Sequence, residues 1–171
     1  MGQYIIIGIR MVFFVLLQGL ILNNVDLFGF VTPYLYVLVI LLFPIEANPS
    51  LVLGLSFMLG MGVDMFSHTW GMHASASVFL AFARPYLLSL MAPRDGFPSG
   101  TPPDMSHMGI NWFLVYALIM ITCHHLFLFF VEVFRVSEFF YTLGRALASV
   151  AFTYLLVLIA QFLTFKQRRV L

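Results

Sequence analysis

The sequence predicts an all-α fold: a polytopic membrane protein whose single transmembrane domain, residues 1–171, is a bundle of six transmembrane helices. Three observations predict it. Of the 171 residues, 62% are hydrophobic and only 9% are charged, against roughly 25% charged in ordinary soluble domains. Mean hydropathy is +1.02. The apolar residues also run in blocks of the length a helix needs to cross about 30 Å of hydrocarbon, and a chain this long holds about six of them with no separate soluble domain.

The blocks and their breakers place spans at roughly 4–22, 31–45, 49–66, 70–91, 110–133 and 138–165. The first lacks a basic leader and a small-residue cleavage site and carries Arg10 inside its apolar run, so it reads as a retained helix and not as a signal peptide. The second lies between Pro33 and Pro44 and is short for a bilayer, which predicts local thinning or partial burial within the protein. The third and fourth are joined by "DMFSHTWG", a tight polar turn. "APRDGFPSGTPPDMSH", residues 92–107, is too rich in Pro, Gly and Ser for one regular element and reads as an irregular surface loop. The last two spans meet at a short turn flanked by Glu132, Arg135, Glu138 and Arg145, read as a local ion-pair group.

Basic residues are retained on the cytoplasmic side. Lys166, Arg168 and Arg169 therefore put the C-terminus inside, and six spans bring the N-terminus to the same side. A net charge of +1 gives no surface for nucleic acid. Cys123 is the single cysteine, so no internal disulfide forms. There is no G-x-S-x-G, H-E-x-x-H, phosphate-cradling glycine loop or C-x-x-C, and neither catalysis nor a cofactor is expected.

Ionisable groups at membrane depth cost about 2.5–3.5 kcal/mol each at a helix centre, so each needs a partner, a wet cavity or a route to the headgroups. Asp64 closes the third span and His68 follows four residues later, a spacing that allows a shared hydrogen bond. With His73 the same pair could hold a metal ion, although the spacing fits no fixed motif and no fourth ligand lies nearby. Arg84 precedes Pro85, which frees a carbonyl one turn back. It either faces the bundle interior or a hydrated cleft, or snorkels to the headgroups. His124 and His125 point about 100° apart on a helix, which favours interhelical hydrogen bonds over one shared ligand. Small residues recur at close spacing in the third and fourth spans, at Ser56 and Gly60, Gly71 and Ser75, and Ser77 and Ala81, making seams where backbones approach.

"GLSFMLGMGVDMFSHTWGMHASASVFLAFARPY" resembles the rod shape-determining protein MreD family: a glycine-rich helix ending in Asp, a short outer turn, a Gly, then a small-residue helix. The matching positions are Gly54, Gly60, Asp64 and Gly71, followed by Ala74, Ser75 and Ser77. "HTWGMHASASVFLAFARPY" is similar to the Bacteroidetes version of the family. The resemblance implies a non-enzymatic scaffold in the bacterial inner membrane, surrounded by membrane lipid, that serves cell elongation and peptidoglycan synthesis. The implied partners are MreC, the actin-like MreB, and RodA with its penicillin-binding transpeptidase. It also implies a fold like the S-component of energy-coupling-factor transporters.

Within that reading, Asp64 caps the outer end of the third helix and fixes the hairpin, Gly71 permits the tight return, and the Ala74, Ser75 and Ser77 face receives a partner's helix or the protein's own. Gly60 and Arg84 complete the expected structural or partner-binding set. The alternative is a vitamin-binding S-component, which would dock its first helix through an Ala-x-x-x-Ala seam. The first span here has no Ala, and its glycines, Gly8 and Gly19, are eleven residues apart.

Overall fold

The computed structural model describes residues 2–25, 30–97, 100–133 and 136–165. Among them the regular structure is helical: α1 Gly2–Leu20, α2 Val37–Leu41, α3 Pro49–Ser67, α4 Met72–Leu90, α5 Met105–Met108, α6 Ile110–Val133 and α7 Phe139–Thr164. Four stretches are long and apolar enough to cross a membrane: Ile5–Asn24, Pro49–Ser67, Ile110–Val133 and Phe139–Thr164. The chain is a membrane protein. Helix α4 matches α3 in length, but its His, Ser, Arg and Pro residues lower its hydropathy. Lys166, Arg168, Arg169 and Arg135, which carried the orientation and part of the expected ion-pair group, lie outside the described residues.

Local chemistry sets the helix ends. Helix α3 starts where Asn48 accepts from the Ser50 amide at 2.9 Å, with Pro49 supplying a preset φ in the first turn. It stops at His68, whose backbone turns left-handed at φ 55°. Gly71 follows at φ +82°, a conformation only glycine adopts without strain, and α4 begins. Asp104 caps α5 by accepting from the His107 amide at 2.9 Å.

Helices α3 and α4 form one antiparallel pair and α6 and α7 another; α4 packs on α6, and α1 lies against α3. The α3–α4 contact needs Gly60, because a Cβ there would sit 2.4 Å from the Ala74 Cα. At the α1–α3 crossing, a Cβ on Gly19 would meet the Phe66 ring at 2.3 Å. The outward faces carry exposed Ile5, Ile9, Phe57, Phe82, Leu155 and Leu163, as a bilayer requires.

The segment expected as a helix over 31–45 is different. Only Val37–Leu41 is helical, and of the two expectations for so short a segment it is burial within the protein that the structure shows, with Tyr36, Val37, Ile40 and Leu41 wholly buried. The reason is visible in its ends. Pro33 and Pro44 limit the helix, and non-helical backbone is tolerated at membrane depth only where protein satisfies its polar groups. We call residues 30–48 the central segment. The α3–α4 turn marks one end of the bundle, here the hairpin end. The loop over 91–109 marks the other, where Trp112 donates to the Met91 carbonyl at 2.8 Å and Met105 is buried.

Candidate functional site

Several of the polar side chains inside the bundle bond to the central segment. Gln18 of α1, fully buried, donates to the Pro33 carbonyl at 2.9 Å and accepts from the Leu35 amide at 3.0 Å. Ser149 and Thr153 of α7 accept from the Thr32 and Tyr34 amides at 3.0 and 3.1 Å. Tyr116 of α6 donates to the Leu41 carbonyl at 3.1 Å. Each bond replaces one that a continuous helix would have made for itself.

At the hairpin end, Asp64 is 3% exposed and works as a cap. Its carboxylate accepts from the amides of His73 at 3.1 Å and Ala74 at 2.9 Å, the second and third residues of α4, and from the Thr69 hydroxyl. Gly71 occupies the usual capping position without a side chain, so the neighbouring helix supplies the acceptor. Gly60, one turn before Asp64, brings the helices close enough for this to happen. The expectation that Asp64 caps the end of α3 is therefore corrected: it caps the start of α4, where the helix dipole also favours an anion. The expected Asp64–His68 bond is absent among the described residues, because the left-handed backbone at His68 takes its side chain out of helical register.

Behind Asp64, the Tyr36 hydroxyl lies 3.0 Å from His73 Nδ1 and 2.8 Å from His124 Nε2. A phenol has one hydrogen, so Tyr36 donates to one imidazole and accepts from the other. His125 donates from Nδ1 to the Ile121 carbonyl at 2.9 Å, and its Nε2 lies 3.0 Å from the Thr153 hydroxyl. The two histidines thus face different partners, and both bond to neighbouring elements. The Tyr34 ring packs 5.0 Å from His73 and 5.5 Å from His125. The His73–Tyr36–His124 line ends at His124 Nδ1, which is buried with no partner among the described residues. At its other end lies a cavity of 440 Å³, lined by Asn23, Thr32, Tyr34, His68, His73 and Glu132 among others. Glu132 also pairs with Arg145 at 3.3 Å.

No group of three His, Cys, Asp or Glu among the described residues could hold a metal ion. Asp64, His68 and His73 are adjacent in sequence but spent apart. The carboxylate is taken up by amides, His68 is turned outward and exposed, and His73 Nδ1 goes to Tyr36.

Arg84 lies toward the loop end and is 3% exposed, so it faces the interior and does not snorkel. Its Nε donates to the Tyr116 hydroxyl at 3.1 Å, and its Nη2 donates to the carbonyls of Phe43 and, at 3.5 Å, Pro44.

The small-residue set divides. Ser77 is buried inside the protein, whereas Ser75, half-buried, and the edge of the buried Ala74 line a lipid-side groove of about 590 Å³ with Phe57, Val78, Phe79, Phe82 and Phe127. The structure thus joins Gly60, Asp64, Gly71, Ala74 and His73 in one assembly and places Arg84 in another. Gln18, Tyr34, Tyr36, Tyr116, Ser149 and Thr153 belong to these assemblies and were not singled out in the sequence. A lone Gln in "FFVLLQGLIL" is the signal that marks the first of them. Among known proteins, no family model matches the chain, and no curated protein or solved structure matches it.

Proposed function

We propose that this chain is a non-enzymatic scaffold of the bacterial inner membrane, of the rod shape-determining kind, that holds other membrane proteins of the cell-elongation and peptidoglycan-synthesis machinery together. In this reading the central segment counts as a crossing, α1, α3, α4, α6 and α7 supply five more, and both termini are cytoplasmic. The fold is then a six-crossing bundle like that of the S-components. The partners proposed are MreC, MreB directly or through MreC, and RodA with its transpeptidase.

The observation that carries the reading is how the costly polar groups are used. Asp64, Arg84, Gln18, Tyr116, Ser149 and Thr153 all bond to backbone of the chain itself. Through these bonds such groups hold one shape, which suits a frame presenting fixed outer faces to neighbours, and of the six Arg84 alone keeps a nitrogen to spare. The test is affinity purification of the tagged chain from its native membrane, with mass spectrometry of polypeptides and small molecules. Recovery of MreC and the wall-synthesis enzymes is the expected result. Their consistent absence overturns the proposal.

One observation favours a second reading, a vitamin-binding subunit of an uptake transporter. The 440 Å³ cavity at the hairpin end has hydrogen-bonding groups from the stretch after α1, the α3–α4 turn, α4, α6 and the central segment around one space, and ligand sites have such convergent polar linings. A stoichiometric vitamin and an ATPase-linked partner in the same purification would favour it over the scaffold.

A further inference from the structure

Arg84 carries more donors than its own protein uses. A guanidinium has five N–H groups in a fixed fork. The Nε hydrogen goes to Tyr116, and Nη2 serves the carbonyls of Phe43 and Pro44. Nη1 has no acceptor among the described residues, and although Arg84 as a whole is 3% exposed, this nitrogen is not one of the fully buried unpaired atoms and so reaches open space. Among the described residues no ion pair includes Arg84: His107 pairs with Asp104, and Arg145 with Glu132. Glu46, on the connection that passes Arg84, is exposed and accepts from the Gly100 amide at 3.2 Å.

The same arginine lines a cavity of 240 Å³ between the central segment, the start of α3 and the end of α4. Its walls are Ile45, Ala47, Val52, Ala81, Leu88 and Phe97, all apolar. Pro85 and Ser89 of α4 lie on its exposed rim. A cation with two free N–H groups in an otherwise apolar pocket fits an oxyanion carried on hydrocarbon. A hydrated mineral anion would lose its water shell against these walls and regain little, whereas phosphate and carboxylate oxygens match the guanidinium fork.

We propose that Arg84 and this cavity bind the acidic head of a membrane amphiphile, with its oxyanion on Nη1 and the first carbons of its chain against Val52, Ala81 and Leu88. A phospholipid phosphodiester and a fatty-acid carboxylate share this chemistry. The site does not depend on the scaffold reading, and it lies at the opposite end of the central segment from the 440 Å³ cavity.

The test is titration of the purified full chain in neutral detergent, followed by native mass spectrometry. The probes are phosphatidylglycerol, oleate and, as a control without an oxyanion, diacylglycerol of matched chains, with inorganic phosphate as competitor. One charge-assisted hydrogen-bonded contact corresponds to about tenfold or more in affinity. One phosphatidylglycerol or one oleate per chain should therefore be retained at about a tenth of the diacylglycerol concentration, and whichever holds tighter identifies the head. Excess inorganic phosphate should not displace it. Ser89→Phe fills the rim and leaves the Arg84 hydrogen bonds in place, so it should abolish retention in a folded protein; Arg84→Gln should do the same. Equal retention of all three lipids, retention unchanged in Ser89→Phe, or displacement by inorganic phosphate would each overturn the proposal.

Discussion

Asp64, near the end of α3 beside the start of α4, and Arg84, toward the end of α4, are buried to the same degree, and neither has a counter-ion among the described residues. Asp64 accepts amide hydrogens where α4 begins; Arg84 donates to carbonyls where the helical part of the central segment has ended. Each uses the side of the peptide group that a helix terminus leaves unpaired. The difference lies in completeness. Both Asp64 oxygens are engaged by the protein, and the hairpin they close is a finished unit. Arg84 retains an unused nitrogen beside a cavity. A charge at membrane depth is thus affordable without an opposite charge if backbone dipoles surround it, and what the backbone leaves over marks where something else can bind.

Breaking the Arg84 end should have the largest effect. Arg84→Leu leaves the Phe43 and Pro44 carbonyls without their donor, and the expected cost is about 3 kcal/mol or more, since each buried unpaired group costs about 1–3 kcal/mol. A lowered thermal midpoint in detergent reads it directly. At the other end, Gly60→Ala drives a methyl into the Ala74 backbone and should cost about 2 kcal/mol by overpacking, with the added loss of Asp64's reach to α4. Asp64→Asn separates charge from capping: it keeps one acceptor, so about 1 kcal/mol is expected, within the range of cap substitutions. A midpoint as low as that of Gly60→Ala would mean that the charge itself matters more than the cap.

Tyr36→Phe sharpens the same comparison inside the hairpin end. It removes the hydroxyl shared by His73 and His124 and should cost about 1 kcal/mol, while leaving the Arg84 end unchanged. His68→Gly reverses the sign. The exposed His68 holds a left-handed backbone for which a side chain costs roughly 1 kcal/mol, so glycine should raise the midpoint by a few degrees at most.

The five long helices were legible because apolar blocks of near-bilayer length admit little else, and their ends coincide with Pro49, Gly71 and Gly109, which act locally. The central segment was legible only in part: Pro33 and Pro44 marked it as short and pointed to burial, but not to its mostly non-helical course. "PYLYVLVILLFP" is as apolar as any span; what decides its conformation is Gln18, Tyr116, Ser149 and Thr153 on three other helices, and pairing over that distance leaves no periodic trace. For the same reason Asp64 was visible as a residue that needs a partner, while its partner was misjudged. A spacing of four residues pointed to His68 within one helix, but the true acceptor geometry crosses to α4 through the close contact at Gly60. Arg84 was legible as costly, and only packing distinguishes an interior arginine from a snorkelling one.

The claim on which the rest depends is that the polar interior exists to hold the central segment. Hydrogen–deuterium exchange of the purified chain in lipid nanodiscs tests it at the Thr32, Tyr34 and Leu35 amides, which lie outside any helix yet bond to Ser149, Thr153 and Gln18. Protection comparable to that of the α6 interior, lost at Leu35 in Gln18→Leu, is the predicted result. Exchange at these amides as fast as in the 92–97 loop, or protection unchanged by Gln18→Leu, would contradict it.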